Sequence, residues 1–413
     1  MKRLEKYFIS SNALDALAGS TATLITQIIV VNQLGFTGTH LGILSSLSII
    51  LYLVSAVPIG RVVDTLPPVT VLVAALAVKA SVLITFAWLY VCDGLSFWTV
   101  LVLQVLQSVV GIFIDTSQII TATSIQSLLG DSKLVPRLES TDKAIGILAP
   151  AVVAFIAAKE FYKGGYIGVA ALALCALVMI AFPVKKLIRQ SSGSEIASSP
   201  NESKKTAWAK EKRSLLTGFR LIVHDKESLI PVLLIAAGNF GLAFIDSPKT
   251  LFLLREMSMS PSEFSNLKII EAITGLLASL LSVRIIDKFK FAELVTTATL
   301  GQVLAALAFL SVVILDAPTF TFTAISNALW SASAVLINVS AMNFFVSQIP
   351  EGKIGIGLSS MRTAVMLVVP LGALLGGYCI DHAGYAFSIF SWVAITITTF
   401  LIGTILFLKR RPI

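Results

Sequence analysis

Runs of roughly 20 apolar residues, the length that crosses a bilayer core as an α-helix, repeat from one end of the chain to the other. Twelve spans are predicted, at 8–33, 41–62, 68–92, 96–124, 143–159, 164–184, 229–254, 263–286, 292–315, 318–347, 356–380 and 385–408. The short alternating segments of a spanning β-barrel do not occur. Within the runs the few polar residues keep helical spacing. In span four Gln104, Gln107, Gly111, Asp115 and Gln118 form one stripe. Span ten carries Asn327, Ser331, Ala334, Asn338 and Ala341 in the same way. Span one has Asn12, Asp15, Gly19, Ala22 and Thr26, and span seven has Asn239, Asp246 and Lys249. Spans one, four, seven and ten open four successive three-helix groups. Their stripes point to one shared polar cavity.

The chain also echoes itself. Gly60-Arg61-Val62-Val63-Asp64 closes span two, and Val283-Arg284-Ile285-Ile286-Asp287 closes span eight. Ser140, Ala144 and Pro150 recur as Ser360, Ala364 and Pro370. Two echoes at nearly one offset point to an internal duplication. The expected organisation is an N-terminal six-helix bundle (1–184), a linker (185–228) and a C-terminal six-helix bundle (229–413).

Composition agrees with the pattern. Of 413 residues 56% are hydrophobic and 13% charged, with a mean hydropathy of +0.89. A soluble fold would have to hide more surface than its volume allows. The net charge of +8 is a matter of orientation, not of nucleic-acid binding. With both termini cytoplasmic, most of the 31 basic residues fall on the inner side, as the positive-inside rule requires. The expected place is therefore the plasma or inner membrane. Met1 to Lys6 is too short and charged for a cleavable signal. Residues 191–203 of the linker are Ser-rich, and the following part sets Trp208, Leu215, Leu216, Phe219 and Ile222 among basic residues. An amphipathic helix on the inner surface fits that pattern. Cys92, Cys175 and Cys379, like His40, His224 and His382, are too scattered for a metal site or a disulfide framework.

Depth singles out two acids. By the helix rise, Asp15 lies about 10 Å and Asp115 about 13 Å from the inner ends of their spans. At similar depth on adjoining helices, the two could load and release a proton. The alternative is a packing or substrate-facing pair, with one acid bound to Gln104, Gln107 or Lys79. Lys79 itself sits mid-span and needs a carboxylate on a neighbouring helix. In the second half Asp246 and Lys249 are one turn apart, as are Lys268 and Glu271. They read as an outer ion-pair cluster or as an outer gate.

With its central basic loop and Gly60-Arg61-Val62-Val63-Asp64, the chain resembles the major facilitator superfamily. That superfamily carries G-x-x-x-D-R-x-G-R between spans two and three and a weaker copy between spans eight and nine. Within it the chain is similar to the macrolide-efflux and enterobactin-exporter-like branch. Leu14-Asp15, Leu134-Val135-Pro136-Arg137 and Pro370-Leu371-Gly372-Ala373-Leu374-Leu375-Gly376-Gly377 carry that likeness. The resemblance implies two bundles rocking about a central site. It also implies an inner gate at Gly60, Arg61, Asp64, Arg284 and Asp287. Three departures stand out, the first bearing on the inner latch and the other two on proton coupling. Thr65-Leu66-Pro67-Pro68 replaces the family's basic run, and span four lacks the R-x-x-Q-G arginine. Span five reads Gly146-Ile147-Leu148-Ala149-Pro150, without the glycine pairs of the antiporter signature.

The expected function is export of an amphipathic or cationic small molecule by a monomeric, proton-coupled carrier without cofactors. The alternatives are export of a siderophore, peptide or lysolipid, or a non-transporting sensor or assembly protein on the same scaffold. An enzyme is not expected, because no nucleophile, base and orienter come together. No phosphate-cradling loop supports ATP drive.

Overall fold

The computed structural model of the protein describes residues 2–129, 134–184, 226–286, 288–315, 317–348 and 354–408. Its helices are α1 (Lys2–Asn32), α2 (Gly38–Thr65), α3 (Pro68–Val91), α4 (Phe97–Leu129), α5 (Leu134–Ala158) and α6 (Tyr162–Met179). After the linker come α7 (Lys226–Leu251), α8 (Pro261–Ile286), α9 (Phe291–Ile314), α10 (Thr319–Gln348), α11 (Ile354–Met366) and α12 (Val369–Leu408). Span eleven is α11 with the first part of α12. Gly384 then breaks α12, at φ 82° and ψ 178°, a backbone that only glycine adopts readily. The rest of α12 is span twelve. The described residues form an all-α membrane protein, eleven of whose helices are long and apolar enough to cross a bilayer, the last of them covering spans eleven and twelve.

Helix is the only open-ended way to satisfy every backbone group in hydrocarbon. Many hydroxyls inside the spans are satisfied in the same way, by bonding back one turn, while those of Thr21, Thr323, Ser326 and Ser340 are buried without a partner. Ser117 donates to the Phe113 carbonyl at 2.6 Å, and Thr121 to that of Ser117 at 2.7 Å. The starts follow local chemistry. Ser260 and Glu263 form a reciprocal capping box ahead of α8, with Ser260 N donating to Glu263 Oε2 at 3.0 Å and Glu263 N to Ser260 Oγ at 3.2 Å. Pro68, which lacks a donor, sits at the first position of α3.

Two sequence expectations shift. The segment Gly60 to Asp64 is not a loop but the last turns of α2, leaving only Leu66 and Pro67 before α3. The helix stays wound because Ile59 and Val63, one turn apart, pack into a cluster with Val71 of α3 and Ile112 of α4. Arg284 likewise falls in the last turn of α8. Asp287 and residues 185–225 of the linker, with its amphipathic stretch, lie outside the described residues. Helix α5 starts at Leu134, nine residues before the predicted span, since Leu134, Leu138 and Ile145 already face inward.

The described residues gather into two compact units. Unit one holds 2–36, 50–184 and 260–269. Leu4, Phe8, Leu72, Leu76, Ile114, Ile125 and Leu138 form one of its cores. Unit two holds 37–49, 226–259 and 270–408. In it Val232, Ile235, Ala298, Ile337, Phe345 and Met361 pack together. Helix α2 thus changes membership along its length, its first turns belonging to unit two.

Candidate functional site

Unit one encloses a cluster of charged and amide side chains. Asp15 of α1 and Lys79 of α3 are each 8% exposed. The lysine Nζ lies 2.8 Å from Oδ1 of Asp15 and donates a hydrogen bond to its main-chain carbonyl at 3.3 Å. Gly19, one turn further along α1, makes the seat for that ammonium. A Cβ there would stand 3.2 Å from Nζ. The mid-span lysine thus finds the carboxylate its position demands, and Asp15 is an ion-paired acid.

One turn before Asp15, Asn12 ties three helices together. Its Nδ2 donates to Oδ1 of Asp142 on α5 at 2.9 Å, and its Oδ1 accepts from Gln118 Nε2 on α4. Asp115 lies one turn before Gln118, within electrostatic reach of Lys79, Asp15 and Asp142. It is exposed on the surface, yet those three charges place it on the cluster side of α4. A cavity of about 10 Å³, room for one water molecule, is bounded by Ser11, Asn12, Asp15, Ile114 and Gln118 among others. With all groups ionised, three carboxylates face one ammonium, leaving two formal negative charges; Asp15 and Lys79 are buried, while Asp115 and Asp142 are exposed. Such an excess favours the approach of a cation or a proton. Gln104 and Gln107 continue the stripe along α4 and are half-buried.

Unit two gathers different chemistry. Asn239 of α7 donates to the Val365 carbonyl at 3.2 Å. With Gln302 of α9 and Trp330 and Asn338 of α10 it lines a cavity of about 30 Å³ whose lining carries no ionisable side chain. The indole Nε1 of Trp330 is buried without a hydrogen-bond partner. Nearby on α10, Asn327 accepts a 2.6 Å hydrogen bond from Lys249. That ammonium also lies 4.7 Å from the ring centre of Phe309 and 5.8 Å from that of Trp392. Ser331 donates to the main-chain carbonyl of Glu271 at 2.8 Å. Asp246 on α7 and Lys268 and Glu271 on α8 keep the one-turn spacing to their predicted mates. Of the predicted inner-gate residues, Gly60 and Arg61 are half-buried while Asp64 and Arg284 are exposed.

Sequence reasoning missed Asp142, Gln302, Trp330 and Trp392. For Asp142 a signal existed, because Leu134, Leu138, Ile145, Ala149 and Val153 keep helical spacing and carry Asp142 into the span. Gln302 stands alone in an apolar run and offered no stripe to notice.

No curated protein matches the sequence. Solved structures match its fold over the whole length. The nucleoside transporter NupG covers 99% of this chain and 100% of its own, at a TM-score of 0.67 and 15% identity. A bacterial homologue of the lysosomal transporter Spinster matches at 0.67 and 14% identity, covering 99% of this chain and 98% of its own. A bacterial homologue of the iron transporter ferroportin matches with the same score, identity and coverage. The sequence model of the Major Facilitator Superfamily matches residues 8–254, more than half of the chain. The chain belongs to the Major Facilitator Superfamily.

Proposed function

We propose that the protein is a secondary active transporter of the plasma or inner membrane. In this reading it exports an amphipathic or cationic small molecule in exchange for protons, as the efflux branch of the superfamily does. The observation that carries it is the cluster of Asp15, Lys79, Asp115 and Asp142, where three carboxylates meet one ammonium. Such a group attracts positive charge, and each cation that joins it weakens its hold on the next. A proton on Asp115 and a cationic cargo beside it compete for the same excess of negative charge, and competition of this kind is what couples opposed fluxes. Asp15 is held by Lys79, so Asp115 is the acid that exchanges with water, and Asp15 with Lys79 sets the field around it. Gly60, Arg61, Asp64, Arg284 and Asp287 act as the inner gate in this scheme. Asp246, Lys249, Lys268 and Glu271 act as an outer cluster. The chain works as a monomer, and both termini are cytoplasmic.

The test is transport in proteoliposomes under an imposed pH gradient, with a panel of organic cations. Wild-type protein moves at least one against the proton gradient, and Asp115→Asn loses the pH dependence while remaining folded. Transport that ignores the gradient in both proteins contradicts the coupling.

A second reading keeps the carrier and changes the cargo to a neutral, hydrogen-bonding ring compound. It is favoured by the amide and indole lining of the cavity at Asn239, Gln302, Trp330 and Asn338. Nucleoside transport by NupG offers a precedent on the same fold. Thermal shifts with neutral nucleosides against organic cations separate the two, since a ligand stabilises the state that binds it.

A further inference from the structure

A second cavity of unit one lies where α1 and α3 end and α5 turns into α6. It measures about 650 Å³, within the usual range of small-molecule sites. Every residue that lines it, Pro261 of α8 included, belongs to unit one. Asn32, on its wall, stands about 26 Å beyond Asp15 along α1 by the helix rise, so the cavity is separate from the charge cluster.

The wall is held in shape from behind. The Tyr90 hydroxyl donates to Gln33 Oε1 at 2.9 Å, which fixes the orientation of that amide. The Tyr90 ring rests 5.2 Å from the ring of Tyr166. Tyr166 is itself fixed: it is fully buried, it stacks on Phe86 at 6.0 Å, and its hydroxyl lies 2.8 Å from Thr26 Oγ1. Tyr162, also buried, adds a second phenol to the wall at the start of α6. The Phe161 ring lies over Gly164, where a Cβ would stand 1.9 Å from it, so this glycine leaves the ring its place.

Glu160 sits at a position that favours glycine. Helix α5 closes with the Phe161 N–H on the Ile156 carbonyl at 2.9 Å and the Glu160 N–H on that of Ala157 at 3.1 Å. In this C-cap the residue at Glu160 is left-handed, here with φ 52°, and a Cβ there crowds the backbone. Asp93 takes the same φ at the end of α3, but aspartate tolerates it more readily. Glutamate at this position gives up stability on the rim of a cavity, and backbone strain of that kind marks functional sites.

The lining also says what fits. The charges of Glu160 and Lys163 cancel, so the cavity selects no net charge. The rings of Tyr90, Tyr162 and Phe161 offer faces to the C–H side of a saturated ring. Asn32, Gln33, Glu160 and Lys163 offer donors and acceptors to hydroxyls around its edge. We propose that this cavity is a binding site for a neutral, hydroxyl-rich ring compound such as a glycoside, with the Glu160 carboxylate as the anchor of its hydroxyls. The site needs neither proton exchange at Asp115 nor the cavity at Trp330, so it fails or holds apart from both cargo readings.

The test uses full-length protein in nanodiscs and 4-nitrophenyl β-glucoside as the probe, with saturation-transfer NMR for affinity and thermal unfolding beside it. Wild-type protein binds the glucoside saturably. Glu160→Gly removes the carboxylate and the strained Cβ together. Its affinity should fall about tenfold, the scale of a hydrogen bond to a charged group, while its melting temperature rises. A purely structural Glu160 would not move the two in opposite directions. Glu160→Gln keeps an acceptor and should lose about threefold. Tyr90→Leu removes a ring face and the partner of Gln33 and should lose about tenfold. No saturable binding by the wild type, or unchanged affinity in Glu160→Gly, overturns the site. Displacement of the glucoside by tetraphenylphosphonium in the wild type but not in Glu160→Gln would make it a cation site and refute the assignment.

Discussion

Lys79 sets its ammonium 2.8 Å from Oδ1 of Asp15, with both residues 8% exposed in the middle of unit one. A lone charge at that depth would be far costlier than the pair. The two residues therefore stand or fall together. Lys79→Met alone should cost about 3–5 kcal/mol, because it leaves the Asp15 carboxylate buried without its counter-charge, and Asp15→Asn should cost less, because Asp115 still faces the ammonium. The double variant should cost clearly less than the sum of the two. Equilibrium unfolding in mixed micelles closes this cycle, and additive losses would show that the ion pair does not exist.

Gly19 should matter through Lys79 and little otherwise. A Cβ at this position would meet Nζ at 3.2 Å, so valine forces the ammonium off its seat. Gly19→Val is expected to destabilise wild-type protein by about 1–3 kcal/mol, the usual cost of overpacking. In the Lys79→Met background most of that cost should vanish. The same unfolding assay reads the difference, and an equal cost in both backgrounds would assign Gly19 to helix packing alone.

Asn12 is both donor to Asp142 and acceptor from Gln118. Asn12→Leu leaves those groups unsatisfied and should cost about 1–3 kcal/mol. Asn12→Asp places a fourth carboxylate among three and should cost more at neutral pH than in mild acid. Thermal scans at two pH values check the sign. A pH-independent loss in Asn12→Asp would mean that the site is more hydrated than its 10 Å³ cavity implies.

Unit two depends on aromatic packing where unit one depends on charge. Trp392 is 1% exposed and its ring centre lies 6.2 Å from that of Phe309 and 5.3 Å from that of Trp330. Trp392→Ala should cost about 3–5 kcal/mol as a large-to-small core change. Phe309→Leu should chiefly remove the contact of the ring with Lys249, worth about 0.5–2 kcal/mol. Unfolding monitored by tryptophan fluorescence separates them, and a larger loss in Phe309→Leu would reverse the ranking of packing and charge.

The spans were legible because hydrocarbon imposes one rule on every residue that crosses it. The stripe of Asn12 and Asp15 on α1 and of Asp115 and Gln118 on α4 was legible for the same reason, since polar side chains in lipid must share a face. What the stripes could not give was partnership. Lys79 declared its need for a carboxylate, but two acids stood at suitable depth, and only packing selects Asp15. Asp142 was hidden because Glu139, Asp142 and Lys143 together look like a loop. It is exposed on α5, and Asn12 reaches it across from α1. Asp381 was hidden between an apolar run and Gly384, and its carboxylate accepts the N–H of Gly38, at the start of a helix some 340 positions earlier. Likewise Gly60 to Asp64 looked like loop chemistry, while Ile59 and Val63 keep it helical.

The most direct test of exchange at the charge cluster follows protons themselves. Wild-type protein in weakly buffered detergent is mixed with tetraphenylphosphonium, a lipophilic organic cation, while a pH dye records the solution. The account predicts that binding expels protons into the medium, and that Asp115→Asn binds the cation with no such release. Binding without proton release in the wild type, or identical release in Asp115→Asn, would contradict it.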